Sequence, residues 1–177
     1  MKRIGKSTLE FDRPPTILSQ AAVGGKKEAE GPLGGELDQT FGDTTLGQDS
    51  WERAEAQLQK EAAALAMKKA AVSAEEVDFI LAGDLLNQCI SSTFGLLDFG
   101  IPFLGQYGAC STMAQTLLLA AVLVESGAAR RALAVTSSHF CSAERQFRLP
   151  LEYGGQRSPT AQWTATAAGC ALVGVGG

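Results

Sequence analysis

The sequence predicts an α/β fold: a mostly parallel sheet covered by helices. Three observations carry this expectation. Short runs rich in Val, Ile, Leu and Ala alternate with helical segments along the chain. Residues 51–71 form one long amphipathic segment, and residues 111–126 form an almost wholly apolar one. The predicted order is β-α-β-α-β-α-β-β, a mixed sheet whose last two strands, with no helix between them, run antiparallel.

Each element has a local reason. Residues 1–15 read as an irregular lead-in stopped by Pro14 and Pro15, and residues 16–23 as the first strand. Residues 24–47 are rich in Gly, Glu, Lys and Asp and read as one long loop. Asp49 or Ser50 supplies a helix N-cap. In the helix that follows, Leu58, Ala62, Leu65 and Lys69 fall on one stripe with Ala63 and Ala66 beside it, while Glu55, Gln59 and Lys68 take the opposite, solvent-facing side. Residues 77–83 are a buried strand and 85–98 a mixed helical segment. The third strand is 101–107. The apolar helix 111–126 is expected to lie between layers and to end at Gly127. Residues 131–137 are the fourth strand, 139–162 a polar connection and 163–175 the fifth strand.

Composition narrows the function. The chain has 177 residues, a net charge of -4 and 45% hydrophobic residues, enough for one core and without the basic stripe of a nucleic-acid binder. Cys89, Cys110, Cys141 and Cys170 are widely spaced and contain no CxxC pair, which fits neither a zinc site nor a disulfide scaffold and favours a reducing compartment. No apolar stretch follows the basic start, so no signal peptide is expected. The longest apolar run, 117–124, is far short of the ~20 residues of a membrane-spanning helix.

The chemistry concentrates at Gln106-Tyr107-Gly108-Ala109-Cys110-Ser111-Thr112-Met113, where a strand stops at a glycine and a helix begins one residue after. A cysteine at such a turn is a nucleophile, a marker of an anion-binding helix end, or a small buried hydrophobe. Around the same sheet edge, Asp84, Asn87 and Gln88 follow the second strand. His139, the only histidine, follows the fourth. Each is either a ligand group or a structural one. Arg145, Arg148 and Arg157 are candidates for holding a carboxylate or for ion pairs with Glu144 and Glu152, and Trp163 for stacking on a ligand or for core packing.

Four blocks carry a resemblance: Gly83-Asp84-Leu85-Leu86-Asn87-Gln88, residues 105–113, Thr136-Ser137-Ser138-His139-Phe140, and above all the long run from Ala143 through Glu152-Tyr153-Gly154-Gly155-Gln156 to Thr164. Through them the sequence resembles the stage V sporulation protein AD family. That resemblance implies a thiolase-like fold of about twice this length, of which residues 1–177 are the N-terminal half-domain, with the C-terminal half absent. It implies a protein that binds dipicolinic acid (pyridine-2,6-dicarboxylic acid), free or as its calcium chelate, for uptake in sporulation and release in germination. It also implies association with other proteins of the same channel system, a peripheral place on the spore inner membrane, and a homodimer formed through the third strand. The candidate ligand residues are then Cys110, Ser111 and Thr112 with their backbone N–H groups, His139, Arg145, Arg148 and Asp84, with no metal and no cofactor. Cys110 is catalytic only under the alternative reading, an acyltransferase of thiolase or ketoacyl-synthase type. A structural subunit with a degenerate pocket is the third reading.

Overall fold

A computed structural model describes residues 1–86, 89–147, 158 and 160–176. Its centre is a six-stranded sheet. The strands are β3 (Thr16–Gly24), β4 (Gln39–Thr40), β5 (Phe79–Asp84), β6 (Phe103–Gly105), β7 (Arg131–Ser138) and β8 (Ala167–Gly174), in the spatial order β4-β3-β8-β7-β5-β6. β8 runs antiparallel to both neighbours, β3 and β7, while the remaining ladders are parallel. The expected mixed, mostly parallel sheet is therefore present, with its reversed strand in the middle.

Alternation along the strands sends side chains to two cores. Val23, Ile80, Ala82, Leu133, Val135 and Leu172 face α2 (Trp51–Lys69), where they meet Leu58, Ala62 and Ala66. Leu81, Ala132, Ala134 and Val173 face α4 (Thr112–Glu125), where they meet Ala120 and Val124. Ser50 caps α2 by accepting the Arg53 N–H at 3.2 Å. α3 (Ile90–Leu96) packs on α2 and β5, close enough that a Cβ at Gly95 would lie 2.5 Å from the Ala56 carbonyl oxygen.

Several expectations need correction. Residues 1–15 are not an irregular lead-in: β1 (Lys2–Ile4) and β2 (Thr8–Glu10) form an antiparallel hairpin around Gly5 in the left-handed region. The 24–47 loop contains a one-turn helix α1 (Lys26–Ala29), a 3₁₀ turn and β4. The third strand is only three residues long, because it is an edge paired to β5 alone. Within the supposed polar connection, Phe140–Phe147 is a helix, α5, so the last two strands are antiparallel but do have a helix between them. Glu55 and Gln59, assigned to the solvent side of α2, are fully buried. The reason is spacing: Glu55 and Gln59 fall on the same helical stripe as Leu58 and Ala62, and that side of α2 is covered by the sheet together with α3 and α5.

The apolar helix α4 is not covered all round. Thr112, Thr116, Ala120 and Val124 are buried against the sheet, while Leu118 is 51% and Leu119 36% exposed on the other side. With Ile17 of β3 exposed as well and paired with Val173 on the α4 side, this face carries apolar surface of a kind soluble monomers seldom leave open. The isolated 1–177 polypeptide is expected to self-associate in sedimentation velocity. A single monomeric species across a concentration series would contradict this.

Candidate functional site

β5 and β7 end side by side, and the chain from β6 turns back there to begin α4. The turn is tight. A Cβ at Gly108 would sit 2.5 Å from Gln115 Oε1 and 2.8 Å from Ser111 Oγ. Ala109 then takes a left-handed φ of +46°, a strained value for a residue with a side chain. Residues Ala109–Ser111 form a 3₁₀ turn that leads directly into α4. This geometry lifts Cys110 to the surface, where it is exposed.

Beside it lies an open cleft of about 430 Å³. Its walls are the α4 turn (Cys110, Met113), the end of β7 (Thr136, Ser138) and the approach to β8 (Thr164, Gly169). Hydroxyl-bearing residues and small residues dominate this lining. No side chain caps α4: Ser111 Oγ turns back to donate to the Gly108 carbonyl oxygen at 2.9 Å.

The structure sorts the sequence candidates. Of the Cys110–Thr112 trio, only Cys110 lines the cleft. The Ser111 N–H donates to Gly108 O at 2.9 Å and the Thr112 N–H to Ala109 O, so these two backbone donors are used inside the turn, contrary to expectation. Thr112 is buried, and its hydroxyl has no hydrogen-bond partner. His139 is 1% exposed and does not line the cleft. Its Nδ1 accepts the Cys141 N–H at 3.2 Å, which fixes the proton on Nε2, and Nε2 donates to Thr44 O at 2.7 Å. Burial holds its pKa below the ordinary histidine value, so the ring stays neutral. It pins the 43–47 loop to the start of α5.

Arg145 also lies away from the cleft. It pairs with Glu52 and sits over the Trp51 ring at 5.5 Å. Asp84 is 2% exposed and accepts from Ser92 N at 3.3 Å and Ser92 Oγ at 3.1 Å. Trp163 stacks on Phe140 with ring centroids 4.4 Å apart, and Lys27 Nζ lies 4.1 Å from its ring centroid. Arg148, Arg157, Asn87 and Gln88 lie outside the described residues. Among the described residues no group of three or more His, Cys, Asp or Glu is arranged to hold a metal ion.

Sequence reasoning missed a polar cluster on the opposite side of the sheet edge. Glu55, Gln59, Asp84, Ser92, Ser137 and Ser142 are all buried together there. Gln59 Nε2 donates to Ser137 Oγ at 2.7 Å and to Ser92 Oγ at 2.9 Å. Ser137 Oγ donates to Glu55 Oε1 at 2.7 Å. Burial and the nearby Asp84 carboxylate raise Glu55 to a pKa of about 7, against the hydrogen bond from Ser137, which lowers it. A signal was available: Glu55, Leu58, Gln59 and Ala62 stand at i, i+3, i+4 and i+7, the spacing of a core-facing stripe.

The family model of stage V sporulation protein AD matches residues 5–177. The chain belongs to the stage V sporulation protein AD family. It is 44% identical over 173 residues to the stage V sporulation protein AD of Bacillus subtilis (strain 168), covering 98% of this chain and 51% of that protein. The chain thus spans about half the length of the curated relative it matches. Among solved structures, the priming β-ketosynthase of a polyketide pathway superposes with a TM-score of 0.62 at 17% identity, over 98% of this chain and 53% of that one. The 3-oxoacyl-[acyl-carrier-protein] synthase III of Aquifex aeolicus gives 0.59 at 18% identity, over 90% of this chain and 53% of that one. At such identities the likeness establishes the thiolase-like fold alone. Membership establishes a sporulation protein built on that fold. Among the described residues no helix is long and apolar enough to cross a membrane.

Proposed function

We propose that this member of the family binds dipicolinic acid in the Cys110 cleft and serves a spore membrane transport complex without catalysing a reaction. The observation that supports it is the cleft itself: an open space of about 430 Å³ at the uncapped head of a 14-residue helix, lined by small and hydroxyl-bearing residues. The positive end of the α4 dipole favours a carboxylate there by about 0.3–1 kcal/mol. The chain's one histidine has both ring nitrogens engaged away from the cleft, with Thr44 O and the Cys141 N–H.

In this reading the ligand arrives free or as its calcium chelate. The protein docks on other proteins of the channel system at the inner spore membrane, and two copies pair along the β6 edge. Residues 1–177 act as the N-terminal half-domain of a longer thiolase-like unit. Isothermal calorimetry of the full-length protein with dipicolinic acid tests the central claim, and absence of binding would sink it. Cys110→Ala is expected to change the Kd less than about threefold, because a cysteine side chain is a weak hydrogen-bonding partner. A much larger loss would make the sulfur a direct ligand.

A second reading is favoured by one observation, the exposure of Cys110 on a strained turn beside the cleft. A thiol so placed is sterically available for acyl transfer, the acyl group passing from a thioester to Sγ with release of the donor thiol. Intact mass spectrometry after incubation with acyl-coenzyme A separates the two. A stable acyl adduct that Cys110→Ala abolishes would support the enzyme.

A further inference from the structure

No charged residue lines the Cys110 cleft. A dicarboxylate drawn into it gives up water at both ends, and the head of α4 offers a partial positive charge to one end only. The other end calls for a cation at the rim. Arg145 does not supply it, being paired with Glu52.

One wall of the cleft carries a cation at its edge. Thr164 and Ala165 belong to that wall and lead into Thr166. The segment is fastened to β7 and α5 on one side: Ser138 Oγ donates to Ala165 O at 2.7 Å, and the Phe140 N–H to Thr166 Oγ1 at 3.1 Å. On the other side it is fastened to α1: the Gly25 N–H donates to Thr166 O at 2.7 Å, and the Thr166 N–H to Glu28 Oε1 at 3.1 Å. α1 is thereby moored to the cleft wall. Trp163, the residue before Thr164, stacks on Phe140, and Lys27 Nζ of α1 lies 4.1 Å from its ring centroid. Trp163 is 50% exposed and Lys27 is exposed. Among the described residues no carboxylate forms an ion pair with Lys27. A lysine fixed by a carboxylate would meet an anion already neutralised, whereas one fixed by an indole face keeps its full charge.

We propose that Lys27 is the specificity residue of the cleft: its ammonium, held at the rim by Trp163, takes the second carboxylate of a dicarboxylate whose first carboxylate sits at the head of α4. This rests on the binding reading above and names the residue that selects a dianion over a monoanion. Trp163 acts through Lys27, as the positioning residue that limits where the ammonium can go.

Calorimetry of the full-length protein with pyridine-2,6-dicarboxylate and with pyridine-2-carboxylate, without added calcium, tests it. Lys27→Met keeps the apolar stem over Trp163 and removes only the charge. It is expected to weaken the dicarboxylate about tenfold and the monocarboxylate less than about twofold. Lys27→Arg should restore most of that loss. Trp163→Leu frees the lysine without removing its charge and should give an intermediate loss for the dicarboxylate. Where the monocarboxylate binds too weakly to measure, salt reads the same charge: the dicarboxylate Kd should rise more steeply with ionic strength in the wild type than in Lys27→Met. Equal losses for both ligands in Lys27→Met, no loss for either, or an unchanged salt dependence would overturn the role of Lys27 and leave binding in the cleft standing. A wild type that does not bind the dicarboxylate would overturn the binding reading and this inference together.

Discussion

Gly83→Val is expected to lower the melting temperature by roughly 6–12 °C, equivalent to about 3 kcal/mol or more. Gly83 sits in β5 where the sheet, the end of β6 and the start of α4 converge. An added Cβ there would lie 2.2 Å from the Gln106 carbonyl oxygen and 2.9 Å from Thr112 Cγ2. The first clash is with backbone, so no rotamer change relieves it. Relief requires moving the very turn that carries Cys110, so the surviving folded fraction should also show altered alkylation of that thiol. Gly42→Ala is the control, since a Cβ there meets nothing within 4 Å and the change should fall within about 0.5 kcal/mol. Thermal unfolding followed by circular dichroism, on both variants and wild type, decides it. Equal melting temperatures would mean that the close approach at Gly83 does not constrain the fold.

The second large effect is on stability as a function of pH. Glu55 has a folded pKa raised from 4.5 to about 7 by burial and by Asp84. A raised value means that the folded state binds the proton more tightly than the unfolded state does. Its contribution is therefore complete below about pH 4.5 and is lost as pH rises through 7. The loss corresponds to about 3 kcal/mol. Surface carboxylates act in the opposite sense. Asp38, held low by Lys69, and Asp78, held low by the Arg130 and Arg131 backbone N–H groups, stabilise the fold above their unfolded pKa and lose that contribution in acid. Urea unfolding of wild type and Glu55→Gln across this range isolates the buried group, because the surface terms cancel in the difference. The wild type should lose about 3 kcal/mol relative to the variant between roughly pH 5 and roughly pH 8.5. A constant difference would show that Glu55 titrates normally.

The two predictions touch positions that were unequally visible in the sequence. Gly83 stands at the end of an evident strand, and the block that follows it carries part of the family resemblance. Glu55 was hidden by its own chemistry. A glutamate on an alanine-rich amphipathic helix is ordinarily a solvated residue, although its spacing from Leu58 and Ala62 places it on the covered stripe of α2. The same distinction applies to His139 and Arg145. Their residue types suit a carboxylate ligand, yet the fold commits His139 to Thr44 O and the Cys141 N–H, and Arg145 to Glu52 and the Trp51 face. Residue type indicates what a side chain can bind. It does not indicate what will be nearest.

The sequence by itself determined the α/β class, most of the strands, the two long helices, the turn that presents Cys110 and the family. Each of these rests on local signals: hydrophobic period, capping residues, glycine punctuation and contiguous motifs. Tertiary structure alone decided the central position of β8, the cover over α2, the withdrawal of His139, Arg145 and Asp84 from the cleft, and the assembly of the Glu55 cluster. Those depend on contacts between residues far apart in the chain. Ser137 and Glu55, for example, are separated by 82 positions and meet at 2.7 Å. No local pattern encodes such a meeting, because it is fixed by the order in which strands join a sheet and by the depth to which each helix is then buried.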